Sequence, residues 1–113
     1  MKYLLLIYED DADRVDKMDE RMPHCSAYAQ AMLKAGIYVC GERLRGVAAA
    51  TTVRLAGGRT QVVDGPYAEA REQLGGFHII DVPDLDTALA WAARCPSASR
   101  GAVEVRPIWP YEG

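Results

Sequence analysis

The spacing of apolar and polar positions changes several times along the chain, and each change predicts an element. Lys2 to Tyr8 is a short apolar run rich in β-formers, ended by Glu9-Asp10-Asp11, and it predicts a buried first strand. From Met18, apolar positions recur at Met22, Cys25, Ala29 and Met32-Leu33, spacings of four, three, four and three that trace a helical stripe. Pro23 lies inside that stripe. Proline suits a first turn and breaks a helix interior, so either the main helix begins near Pro23 or residues 17–22 form a separate turn. Gly36 closes the helix as the left-handed residue past its end.

Ile37 to Cys40 is a second strand that continues through Gly41-Glu42-Arg43-Leu44. Thr51 to Ala56 and Arg59 to Val63 are β-prone runs around Gly57-Gly58, the signature of a hairpin whose two turn residues take positive φ. Asp64-Gly65-Pro66-Tyr67 is turn chemistry, and Ala68 to Leu74 reads as a short helical turn. Gly75-Gly76 launches a strand over Phe77 to Val82 that Pro83 ends. Asp84 is an N-cap for a helix over Leu85 to Arg94, and Pro96 blocks its continuation. Ala102 to Trp109 is a last strand, with Pro107 pointing to a sheet edge.

The resulting order is β-α-β, a hairpin, then β-α-β. That is the ferredoxin-like split βαβ plan of an α+β domain, an antiparallel sheet with two helices on one face and an extra β-hairpin. Strand residues of both parities are apolar, for example Leu4 with Leu5 and Ile79 with Ile80. The uncovered face is therefore apolar enough to seek a partner, and a homodimer is expected.

Composition narrows the classes. One hundred and thirteen residues make one domain, 1–113. Thirteen basic against sixteen acidic residues give a net charge of −3, which argues against direct contact with nucleic acid. No apolar run reaches the roughly 20 residues needed to cross a bilayer, so no membrane partner is expected. Three cysteines without a CxxC pair suggest reduced thiols and a cytoplasmic location, with Cys40 and Cys95 read as core thiols. Zinc spacing, a phosphate loop and a dinucleotide fingerprint are all missing from the text, so neither a metal nor a cofactor is expected.

The stretch Asp64-Gly65-Pro66-Tyr67, then Glu69, Arg71 and Glu72-Gln73-Leu74-Gly75-Gly76-Phe77, resembles the DGPF-type members of the YCII-related family. The likeness extends through YLLLIYED, ATTVR, DLDTALAWAARCP and VEVRP to nearly the whole chain, with Tyr67 where phenylalanine is usual. It implies a dimeric α/β barrel and a largely unassigned function. It also implies two possible settings: chemistry like that of the muconolactone-isomerase-like enzymes, or a regulatory role beside extracytoplasmic-function sigma factors.

Two histidines frame the candidate chemistry. Arg21-Met22-Pro23-His24 is similar to the R-x-x-H segment of YCII proteins, and a histidine near a helix start is held neutral and able to act as a base. Asp10, after the first strand, is its expected orienting acid. The catalytic candidates are therefore His24 and Asp10, with a surface histidine beside a loop acid as the plainer alternative. Tyr8, Glu42, Asp64, Tyr67, Arg71, Glu72 and His78 are the candidate ligand contacts of a small-molecule pocket between sheet and helices. Each also has a structural reading: Asp64 capping its turn, Arg71 and Glu72 pairing in the loop, Glu42 in a salt bridge, His78 packed mid-strand. Two functions follow, a small-molecule protein with His24-dependent lyase- or isomerase-like chemistry, and a non-catalytic ligand-binding dimer linked to a sigma factor. Gly65 and Gly76 are both expected at positive φ, where valine would damage folding.

Overall fold

The computed structural model describes residues 1–111. Strand β1 (Lys2–Asp10) is followed by helices α1 (Asp11–Asp16) and α2 (Met18–Lys34), then β2 (Tyr38–Arg43). The hairpin β3 (Thr51–Ala56) and β4 (Arg59–Asp64) precedes β5 (Glu72–Asp81), α3 (Leu85–Arg94) and β6 (Ala102–Pro107). The main sheet is antiparallel in the order β2-β5-β1-β6, with β3-β4 as a separate ribbon. This is the expected ferredoxin-like plan with its inserted hairpin. Pro107 lies on the edge strand β6, where a missing N–H costs no ladder bond.

Alternation along β1 sorts the two faces. Tyr3, Leu5, Ile7 and Glu9 point to the helices, and Tyr3 and Leu5 join Ile80 in a core with Tyr28 and Met32 of α2 and Ala88 and Ala92 of α3. On the opposite face Leu4 pairs with Ile79 and Leu6 with Phe77, all half-buried and with no helix over them. Alternation likewise makes the hairpin two-sided. Val53 and Val62 pair on one side with Leu55 beside them, all three exposed, while Arg54 and Gln61 pair on the other.

Local chemistry explains the element ends. Past the end of α2, Gly36 at φ 75° donates to Leu33 O (3.0 Å) and Ile37 to Met32 O (3.2 Å), the paired bonds of a Schellman stop. Asp84 Oδ1 accepts from the Thr87 N–H at 2.8 Å and starts α3 as expected. Gly57 and Gly58, at φ 57° and 77°, make the two-residue turn that joins Ala56 to Arg59.

Several expectations are corrected. A separate helix α1 follows β1 directly, because Asp10 Oδ1 caps it through the Asp13 N–H at 3.0 Å. Helix α2 neither begins at Pro23 nor breaks there. It starts at Met18 and runs through the proline, its first turn pinned by Arg21 against the sheet. Ala68 to Leu74 is not helical. Glu72, Gln73 and Leu74 already pair with Asp10, Glu9 and Tyr8, and the Gln73 amide donates to Ala68 O (2.8 Å) and Ala70 O (2.7 Å), satisfying the loop carbonyls. Strand β5 therefore starts five residues earlier than Phe77, with the pairing shifted by a bulge at Ile7/Tyr8. The last strand ends at Pro107 rather than Trp109, and Cys40 is exposed rather than in the core. Val47–Ala49 and Pro96–Ser99 form 3-10 turns that periodicity does not signal.

The two family glycines differ in kind. Gly65 has φ 111°, as expected, but Gly76 is not at positive φ. A side chain at Gly76 would instead meet the Glu42 carbonyl oxygen at 2.7 Å, across the β5–β2 pairing. Gly65→Val should cost about 1–3 kcal/mol through backbone strain, and Gly76→Val a similar amount through overpacking. Both melting temperatures should fall in thermal scans, and an unchanged value for either variant would remove its stated cause.

Candidate functional site

Where β1 leaves the core, its inward face turns from apolar to charged. Glu9 is only 4% exposed, and three groups donate to its carboxylate: Arg21 Nη1 at 2.9 Å, Arg100 Nε at 3.0 Å and Ser97 Oγ at 2.7 Å. Arg21 comes from α2, while Ser97 and Arg100 come from the turn after α3 and its exit. Arg21 also gives Nη2 to Asp13 Oδ2 at 2.7 Å, tying α1 to the same cluster. A carboxylate so deeply buried is tolerable because its lone pairs are filled by charged and hydroxyl donors.

Above this cluster lies a cavity of about 290 Å³ between the sheet and the helices. Glu9, Arg21 and Arg100 cluster on one part of its wall and Tyr28, Tyr38 and His78 on another, and Arg14, Glu42 and Arg43 also line it. The His78 ring stands edge-on to Tyr28 (centroids 5.7 Å apart) and to Tyr38 (5.8 Å). Tyr28 is fixed in turn by donating to Trp91 O at 2.6 Å, and burial pushes its phenol well above the ordinary tyrosine value. Gly41 is the register partner of His78, and a side chain there would strike His78 Nδ1 and the Tyr38 hydroxyl. Glycine at this position leaves room for both. His78 Nδ1 is buried without a partner among the described residues, and burial pulls the imidazole below its ordinary value. The ring is therefore neutral at pH 7.

The expected site residues separate into four places. Glu42 and His78 line the cavity. Tyr8, Asp10, Arg71 and Glu72 meet in a shallower, open cleft next to it. There Arg71 Nε donates to Asp10 Oδ2 at 2.7 Å, and this bond holds the Asp10 carboxyl below its usual range. Asp64 and Tyr67 sit at the base of the hairpin, both exposed, with the Arg54 guanidinium 5.0 Å from the Tyr67 ring centroid. His24 lines neither cavity nor cleft. It is exposed on α2, off the inward stripe Arg21–Cys25–Tyr28–Met32, and makes no ion pair with Asp10. The early start of α2 places His24 in the helix's second turn rather than at its N-terminus.

Glu9, Arg14, Ser97 and Arg100 line the cavity and are not among the residues that the sequence singles out. Glu9 looks like the first of three acids ending a strand, but it occupies the inward parity set by Tyr3, Leu5 and Ile7, and that parity was the available signal. Arg14 and Arg100 carry no periodic signal at all. Among the described residues no group of histidine, cysteine and acidic side chains is arranged to hold a metal, and no helix is long and apolar enough to cross a membrane.

The fold and its four-stranded sheet with an inserted hairpin define an α+β, ferredoxin-like class. Within it, the YCII-related domain profile matches residues 1–112, and the chain belongs to that family. A relative described as the uncharacterized protein R00369 of Rhizobium meliloti (strain 1021) is 40% identical over 118 residues, covering 99% of this chain and 95% of its own length. The solved structure of 5-chloro-2-hydroxyhydroquinone dehydrochlorinase (TftG) from Burkholderia phenoliruptrix AC1100, in complex with 2,5-dihydroxybenzoquinone, is similar in fold. It has a TM-score of 0.58 at 14% identity, with 99% of this chain and 96% of that one covered.

The sign of the His78 contribution to stability follows from its lowered value. Below the ordinary imidazole range, about pH 6.5, the unfolded chain takes up a proton that the folded chain resists. Stability is therefore full above that value and is lost as pH falls toward the depressed native value. Urea unfolding at pH 7.5 and 5.5 should show this loss, and His78→Phe should reduce it while keeping the aromatic frame. An equal loss in the variant would assign it to other groups.

Proposed function

We propose that this protein binds a compact planar small molecule in the cavity between the sheet and helices α2 and α3, with the imidazole of His78 as the contact that accepts its proton. The carrying observation is a neutral, buried imidazole with no protein partner on the wall of that cavity. An unsatisfied buried polar atom is costly, and a ligand hydroxyl supplies what the protein withholds. A volume near 290 Å³ lies at the small end for ligand sites, which suits a single substituted ring. The similar fold of the dehydrochlorinase, solved with a dihydroxybenzoquinone, supports a hydroxylated ring or its quinone as the ligand class.

A neutral imidazole beside a ring hydroxyl or an acidic ring carbon takes up a proton, the opening move of lyase and isomerase reactions. This reading centres on His78 instead of the His24–Asp10 pair, because His24 does not line the cavity and Asp10 is bonded to Arg71. With hydroquinone and 2,5-dihydroxybenzoquinone as probes, calorimetry or a thermal-shift assay should detect binding. His78→Phe should weaken the binding of hydroquinone, which keeps its hydroxyl protons, about tenfold, the worth of one good hydrogen bond. Equal affinity in the variant would overturn the reading.

The chain is further proposed to pair with a second copy through the open sheet face, where Leu4, Leu6, Phe77 and Ile79 stand half-buried without a covering layer. Light scattering at micromolar concentration should give about twice the chain mass. A clean monomer there would reject the pairing.

A further inference from the structure

Among the described residues four buried polar side-chain atoms lack a hydrogen-bond partner, one of them Asp11 Oδ1, which lies 3.6 Å from Arg14 Nη2. Three of them, Arg14 Nε, His78 Nδ1 and Arg100 Nη2, belong to residues that line the same cavity. His78 has been accounted for above. The two guanidinium groups are the remainder, and of the other two arginines on the lining Arg43 is exposed and Arg21 is paired. Arg21 is saturated, with one Nη on Glu9 at 2.9 Å and the other on Asp13 at 2.7 Å. Arg100 spends only Nε, on Glu9 at 3.0 Å. Arg14 has a side chain 6% exposed, and among the described residues its partners are reached from Nη2 alone and at long range, Arg45 O at 3.5 Å and Asp11 Oδ1 at 3.6 Å.

Resting on the small-molecule reading of this cavity, we infer that Arg14 and Arg100 form an oxyanion subsite, so that the ligand is a ring compound carrying an ionised oxygen, a carboxylate or an acidic enol. A guanidinium is always charged and binds such oxygens more strongly than neutral ones. Glu9 already accepts three bonds, from Arg21, Arg100 and Ser97, and reaches neither Arg14 Nε nor Arg100 Nη2. Glu42, the other acid on the lining, is exposed, where water screens it from an anion held deeper in the cavity. The charged arginine end and the neutral histidine end thus read different parts of one ligand: an anionic oxygen at one end, a protonated hydroxyl at the other.

The test compares affinities for three probes within each protein preparation: neutral hydroquinone, 2,5-dihydroxybenzoate and 2,5-dihydroxybenzoquinone, the last two ionised at pH 7.5. The wild-type chain should bind at least one ionised probe about tenfold more tightly than hydroquinone. Which ionised probe gains distinguishes a carboxylate from an enolate. Arg100→Gln should cut that preference about tenfold, and Arg14→Lys, which keeps the charge but loses Nε, should cut it by less. Because the preference is a ratio inside one preparation, a partly unfolded variant does not distort it. Equal binding of all probes by the wild type, or an unchanged preference in both variants, would overturn the subsite and leave the cavity reading standing. Failure of every probe to bind the wild type would overturn both.

Discussion

A single buried carboxylate organises this molecule. Glu9 ends the inward row of β1, and its three donors come from two places distant in sequence, the first turn of α2 and the segment after α3. Removing Glu9 itself would leave Arg21 and Arg100 without their shared carboxylate, at a cost of about 3–5 kcal/mol for a broken buried pair. Glu9 therefore fixes how both helical layers meet the sheet, and hence the width of the cavity between them. Arg21 transmits the constraint further, through Asp13 to α1. With that turn held from outside the helix, Pro23 does not end it.

The cavity has two chemically different ends because its walls come from different parts of the sheet. Near Glu9 the wall is arginine and hydroxyl. Farther along, β5 and β2 bring His78 and Gly41 into register and set Tyr38 and Tyr28 edge-on to the imidazole. Glycine at 41 leaves room for His78 and Tyr38, and glycine at 76 lets the β5 and β2 backbones lie close. The proposed binding of an anionic ring compound rests on this pairing of charged side chains with a desolvated neutral imidazole. Asp10 and Arg71 satisfy each other in the neighbouring cleft, which leaves them structural partners of the loop that leads into β5.

The elements that depend on neighbours in sequence were legible from the text. The apolar run of β1, the Gly57-Gly58 hairpin, the Gly36 stop and the Asp84 cap are local interactions, formed by residues a few positions apart, and the structure places them as read. Their order was enough to imply the ferredoxin-like sheet and its open apolar face. The EQLGGF block and its surroundings were enough to indicate the family. What the tertiary structure alone decided were the features that join residues tens of positions apart. Ser97 and Arg100 reach Glu9 across about ninety residues of chain, and His78 meets Tyr28 and Tyr38 only because β5 lies between β1 and β2. The extended start of β5 required the far end of β1 as a partner, and no periodicity announces that. His24 shows the same division in reverse: its sequence neighbours suggested a base, but the direction it faces is set by where α2 begins, and Arg21's long-range hold on Glu9 helps to fix that start. Local propensity writes the elements, but a buried charge and its distant donors decide which side chains they bring together.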